Sequence, residues 1–593
     1  MLKTDIAAQP STDEQLAMQF YQNKAFDKAL DYFEKLYYKK SPQQFYTPYL
    51  NCLLETKDFK KAEKIVKKQI KQNPESLNFN VDLGTVYIRS EEPDKARSEF
   101  EKAIKLVKED DQAFTLANSF IALREYDYAI NTYLRGRKIS QNNYPYNFEL
   151  ADIYKIKGDK IMMINEYLNA LEIADSYIQS VQNGLQTSFG NDADSKTNEL
   201  LKSELLKRIS RNPDKTILSE LLIWMEIQLK DFDGAFVQGK ALDKRKKEEG
   251  VRIMGMAQLF AQNDNYDLAA KAYQYVIAKG KNNYYYTSAK MELLNVSYLK
   301  IVSKGLYTPL DLTELEKNYY LTIEELGRSA ITVPMLKNLA HLQAFYLNKS
   351  AEAIGFLEEA IATPQLDKHS QADCKLELGD ILLMTGDVWE ASLRYSQVEK
   401  AFKYDEIGQE AKFRNARIFY YTGDFKLAQA QLDVLKGSTA KLIANDAMSL
   451  SLTINDAVAI DTNEAPLLIF ARADLLAFQN KDEEAKKSLD TINTLFPNHA
   501  LADEILYKKA QIEFKHANYI EVAALYEKII KEYGEDILAD DALFNLANLN
   551  EKQFKNLDKA KELYQQLLEK YPGSLYVVEA RKRYRKLRGD SVN

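Results

Sequence analysis

The chain has 593 residues, 46% of them hydrophobic and 28% charged, with a net charge of −7. A single core stops growing well below this length, so several domains or a quasi-linear array must share it, and the apolar content excludes wholesale disorder. The mild acidity argues against general affinity for nucleic acid, which needs a basic face, and the low counts of glycine (21) and proline (13) favour helices joined by short turns.

Residues 1–10 form a tail in which Ile6-Ala7-Ala8-Gln9-Pro10 resembles the small-residue end of a secretory signal, although no apolar stretch precedes it. Two readings stand: a trimmed signal, or an accidental likeness. From there a pattern begins with Leu16-Ala17-x-x-Phe20, then Phe26, Ala29, Phe33 and Leu36, closing at Ser41-Pro42. It returns as Leu83-Gly84-x-x-Tyr87 with Ala96, Phe100 and Ala103, and again as Leu116-Ala117-x-x-Phe120 with Ala129 and Tyr133. The anchors Ala29, Ala62, Ala96 and Ala129 are 33, 34 and 33 residues apart. Each period holds two apolar stripes of helical spacing. A small residue at the anchor lets the second helix approach the first, and large residues on either side fill the remaining space. Gly158-Asp159, Lys57-Asp58 and Gly386-Asp387 are expected to break the first helix before the second starts.

The five periods at 11–175 give way to an irregular joint at 176–218, with a polar turn at Gly190–Asp194. A repeat pair follows at 219–283 with anchors Ala235 and Ala269, then a long degenerate helical pair at 284–333 broken by Thr308-Pro309. Residues 334–440 resume the pattern with Ala353, Ala391 and Ala428. A second joint at 441–465 precedes the last array at 466–593, which carries Ala485 and Ala560 and ends in a capping helix. Met163 and Val522 replace the small anchor, and Glu226 replaces an aromatic of the first helix.

These residues resemble the tetratricopeptide repeat, whose signature is Leu-Gly/Ala-x-x-Tyr followed by Ala, an aromatic, Ala and Pro over a period of 34. The resemblance implies an all-α, right-handed superhelical solenoid of about 13 helix-turn-helix repeats, with partners held against the inner wall formed by the first helices. The closing repeats, with Tyr571-Pro572-Gly573-Ser574, resemble those of bacterial outer-membrane-assembly and cell-envelope lipoproteins. The implied function is a non-enzymatic scaffold or adaptor for one or more proteins, periplasmic or outer-membrane-associated; a cytoplasmic adaptor is the alternative. The basic clamp by which some relatives grip acidic chaperone tails is missing: the corresponding positions hold Thr47/Asn51, Val81/Thr85, Phe114/Asn118, Phe148/Asp152 and Leu376/Asp380.

Candidate partner contacts are Tyr284, Tyr285 and Tyr286, which cannot all face inward on one helix, together with Asn118, Asp152 and Arg417. The string Gly234–Ala241 approaches a phosphate loop, but Ala241 stands where a magnesium-binding hydroxyl is needed and the segment reads as helix. The four histidines have no ligand partners at helical spacing, and Cys52 and Cys374 lie too far apart in sequence to suggest a disulfide framework. His341 reads as a satisfied core imidazole. No cofactor, metal or catalytic group is therefore expected. No run of 18 uncharged apolar residues occurs, so no transmembrane segment is expected either; peripheral membrane association stays open. The basic end from Arg581 to Arg588 suits the dipole of a last helix.

Overall fold

A computed structural model describes residues 12–590 apart from 41, 142, 190–194, 306, 438–439, 461–462 and 498. The N-terminal tail with its signal-like string and the polar turn at 190–194 lie outside the described residues. The chain forms 32 α-helices and no strand among the described residues. It divides into two compact units, the first ending at Leu222 and the second running from Ile223 to Asn593.

The first unit opens with five antiparallel pairs. These are α1 (Thr12–Gln22) with α2 (Phe26–Lys39), α3 (Pro42–Glu55) with α4 (Phe59–Gln72), and α5 (Asn78–Arg89) with α6 (Pro93–Leu106). Next come α7 (Asp110–Ala122) with α8 (Tyr126–Ile139), and α9 (Asn147–Lys157) with α10 (Lys160–Ile173). Then α11 (Ile178–Phe189) and α12 (Ser195–Arg211) fill the irregular stretch. Helix α13 (Thr216–Gln228) contains the division between the units.

In the second unit α14 (Phe232–Lys246) precedes α15 (Val251–Gln262), α16 (Tyr266–Ile277) and the longer α17 (Tyr286–Lys304) and α18 (Pro309–Leu326). Pairs return as α19 (Val333–Tyr346) with α20 (Ser350–Ile361), α21 (Lys368–Thr385) with α22 (Val388–Ala401), and α23 (Glu406–Thr422) with α24 (Phe425–Leu435). A single helix, α25 (Lys441–Ile460), interrupts them. After it stand α26 (Ala465–Phe478) with α27 (Asp482–Leu495), α28 (Ala502–Lys515) with α29 (Tyr519–Glu532), and α30 (Ala539–Lys552) with α31 (Leu557–Lys570). The last helix is α32 (Val577–Arg588).

The turn inside each pair is one motif used again and again. In the first unit Lys24, Lys57, Glu91, Arg124 and Gly158 have positive φ. In the second the same position is held by Lys230, Asp264, Asn348, Gly386, Gly423, Asn480, Ala517 and Lys555. The next residue's amide returns to a carbonyl five residues back, as in Asp58 N to Leu53 O (2.9 Å) and Asp387 N to Leu382 O (2.8 Å), or six back at Lys349 and Asn556. This bond closes the C-terminus of the first helix. At four of these turns the residue also starts the second helix: the side chains of Asp58, Asp159, Asp231 and Asp424 each accept from an amide three residues on, whereas Asp387 makes no such bond.

All eleven alanine anchors, from Ala29 to Ala560, are at most 2% exposed. Met163 and Val522, at the same repeat position, are equally buried, as is Glu226. Small residues opposite the anchors are under similar pressure. A Cβ built at Gly84 would come 2.1 Å from the Phe100 ring, and one at Gly379 would come 2.3 Å from Tyr395. Cys52 and Cys374 are both free and buried, and burial pushes their thiols up to about 12 and about 11. The near phosphate-loop string Gly234–Ala241 lies within α14, so its amides are committed to helix rather than free to cradle phosphate.

Candidate partner-binding groove

Polar side chains of the first helices mostly serve to fasten neighbouring repeats. Asn51 donates to the Tyr21 hydroxyl (2.8 Å), and Tyr46 donates to Asp82 (2.8 Å). Asp380 accepts from Tyr395 (2.7 Å) and from Arg414 (2.5 Å). His341 is half-buried, hydrogen-bonded to Glu377 (2.7 Å) and stacked on Phe345 at 4.5 Å. Thr85 bonds back to Val81 O within its own helix. Positions that would hold a basic clamp in some tetratricopeptide proteins are thus engaged in the chain's own architecture at Asn51, Thr85 and Asp380.

In the second unit three clefts adjoin one another, the first two lined in part by α25. The first, about 580 Å³, lies among α21, α23 and α25 and includes His369, Asp373, Glu406, Glu410 and Asp446. Asp446 also lines the second, about 260 Å³, together with Phe413, Arg417, Leu450, Phe470, Asp474, Glu504 and Lys508. Tyr507 and Gln511 lead from there into the third, about 490 Å³, where Phe514, Asn545, Asn548 and Lys552 line the space between α28 and α30. The result is a continuous groove, acidic in its first two clefts and aromatic in its second and third.

Its charges are unequally satisfied. Lys508 pairs with Asp474 at 2.7 Å, and Arg414 binds both Asp380 and Glu410. Glu504 is only 8% exposed, and its Oε2 has no hydrogen-bond partner among the described residues. Burial, reinforced by Asp503 and Asp456, holds the Glu504 carboxyl well above the usual range. Burial also raises Asp456, with Asp503 and Asp536 adding to the effect, and raises Asp446, where Glu410 adds and Arg417 opposes.

Sequence reasoning selected other side chains. Tyr284 is 87% exposed, whereas Tyr285 is half-buried and rests edge-on against it at 4.9 Å. Tyr286 is buried and donates to Glu325 at 2.9 Å. Asn118 on α7 and Asp152 on α9 are exposed in the first unit. Arg417 is in the groove, where its guanidinium lies 5.4 Å from the centres of both the Tyr421 and Phe478 rings and donates to the Tyr421 hydroxyl. Of the six nominated residues, only Arg417 meets this groove. Glu504 and the acids around it escaped notice because carboxylates are abundant and these come from separate helices. The one usable signal was the break in period at 441–465, where α25 inserts.

Models of the tetratricopeptide repeat family match residues 53–120 and 541–574, so the chain carries such repeats. No curated protein matches it in sequence. Among solved structures, Naa15/Naa10 bound to HypK-THB is similar at 14% identity over 98% of this chain and 97% of that one, with a TM-score of 0.27. Yeast Tom70 is 15% identical over 97% and 94%, with a TM-score of 0.24. A tetratricopeptide repeat protein from Parabacteroides merdae is 13% identical, covers 51% of this chain and 99% of its own, and has a TM-score of 0.22. The fold assignment rests on the chain's own helix pairs and on the matched repeats. Among the described residues no helix is long and apolar enough to cross a membrane, and no group of three or more His, Cys, Asp or Glu is placed to hold a metal ion.

Proposed function

We propose that this chain is a non-enzymatic scaffold that holds protein segments along the first helices of its repeats, with the α21–α30 groove as the principal site. The observation that carries this reading is the run of adjoining clefts, whose aromatic walls and convergent polar groups suit a segment with apolar anchors. Asn118, Asp152 and the exposed Tyr284 are secondary contacts in this proposal, and the sequence-defined joints at 176–218, 284–333 and 441–465 are its articulations between repeat arrays. The cell envelope of a bacterium is the proposed setting, supported by the Tyr571–Ser574 form of the closing repeats; a cytoplasmic adaptor is the second reading.

A photo-crosslinking amino acid at Gln511 or Asn548 in the full chain, expressed in its own cells, tests the proposal. Adducts to a protein should form at these positions and not at the exposed Trp389 on α22. Absence of groove adducts overturns the site. Fractionation of the same cells separates envelope from cytoplasm.

A further inference from the structure

The lining of the groove permits a statement about what it binds, which rests on the scaffold reading. Four carboxylates lie near one another beside the central cleft, and Glu504 is the one in its wall: Asp456 on α25, Asp503 and Glu504 in the first turn of α28, and Asp536 in the segment before α30. None of the four forms an ion pair among the described residues. The nearest cations are already engaged: Lys508, one turn beyond Glu504 on the same helix, turns to Asp474, and Arg417 lies against Tyr421 and Phe478. From the other helices packed here, Tyr420 of α23 is fully buried and uncharged, and Asp474 of α26 is satisfied by Lys508.

An unpaired oxygen on a carboxyl more than nine-tenths buried is a costly arrangement; Asp482 has one too, but Glu504 keeps its own in the wall of a cleft. It sits at the wall of an open cleft beside apolar side chains, Phe413, Leu450, Phe470 and Leu538. A cation entering there would meet an oxygen that no donor among the described residues occupies and would displace to solvent the proton that burial holds on this carboxyl, while its neighbour in sequence could rest on those apolar walls. The adjoining cleft extends the same field, because Asp373, Asp405, Glu406, Glu410 and Asp446 line it while its Arg414 is taken by Asp380 and Glu410.

We infer that the groove takes a basic protein segment, and that the central cleft between α25 and α28 seats one lysine or arginine against Glu504 with an adjacent apolar residue on Phe413 and Phe470. The charge pattern makes this the opposite of an acidic-tail receptor. Nucleic acid is repelled by the same surface.

The test uses the full chain and a fluorescein-labelled decapeptide of alternating leucine and arginine, measured by fluorescence anisotropy. A second peptide carries citrulline, the neutral isostere of arginine, at every arginine. The arginine peptide should bind at least about tenfold more tightly than the citrulline peptide, and Glu504→Gln with Asp456→Asn should remove that difference. Glu101→Gln, on exposed α6 of the first unit, should leave it intact. Equal binding of the two peptides, or a preference that survives Glu504→Gln with Asp456→Asn, overturns the inference. So does saturation by calcium in a Glu504-dependent manner, which would assign the carboxylates to a metal ion. Glu504→Gln should leave the melting temperature unchanged or raised; a marked fall would show that Glu504 is bound internally. Crosslinks from Gln511 together with failure of the peptide test would leave the scaffold reading standing and sink only this one.

Discussion

The two units solve the same packing problem and treat buried charge differently. In the first, the carboxylates of Glu166 and Asp110 have donors of their own. Glu166 is 4% exposed and receives Arg137 at 2.6 Å and Asn147 at 2.7 Å; Asp110 receives Ser140 at 2.9 Å and Tyr146 at 2.5 Å. The second does the same at Asp243, which takes the Gly250 amide and the Tyr275 hydroxyl, and departs from it in the first turn of α28. There Glu504 is buried with an oxygen unmet. Most polar groups of the repeats bond to a neighbouring copy; Glu149 on α9 and Asp482 on α27 also keep a buried oxygen without a partner among the described residues, and what sets Glu504 apart is its place in the wall of a cleft.

Removing a partner where charge is satisfied should produce the largest effect. Arg137→Ala leaves Glu166 buried against a single amide donor and should cost the first unit about 3 kcal/mol, read as a shift of its urea midpoint. An effect below about 0.5 kcal/mol would place Glu166 in contact with water and dissolve the contrast. Packing should matter equally in both units. Ala96→Leu, at an anchor buried against α5, should destabilise by about 1–3 kcal/mol, and a neutral result would mean the helix contact is looser than drawn.

Acidity sharpens the contrast further. Because Glu504 holds its proton more tightly when folded than unfolded, the native state binds the extra proton between the ordinary carboxyl range and its raised value. Stability contributed by this group is present at low pH and is lost as pH rises through that interval. Urea midpoints for the second unit should therefore decline from pH 5 to pH 9, and Glu504→Gln should flatten the decline; the first unit should show no such dependence on this residue. The smallest effect concerns backbone alone. Ala517 sits at φ 59 with no side-chain compensation, and Ala517→Gly should stabilise by about 0.5–1 kcal/mol in thermal melts.

Much of the fold was readable because two simple constraints repeat. Small residues mark most of the close helix approaches, Met163 and Val522 excepted, and Gly-Asp or Lys-Asp marks the turn at Gly158, Lys57 and Gly386. The same turn at Arg124 or Ala517 was invisible, since nothing in those residue types announces a left-handed backbone. What selects it there is the pairing of the flanking helices. The groove was less accessible still. Its decisive acids are brought together by the path of α25 and the starts of α28 and α30, and each alone is one carboxylate among 87.

The two thiols have a practical consequence. Both native cysteines are buried, and burial keeps them protonated at any pH used for alkylation, so neither presents a thiolate to a maleimide. A single cysteine introduced on an exposed face would react alone in the otherwise native chain. Spectroscopic reporters can thus be set into the groove or onto either unit without first rebuilding the interior.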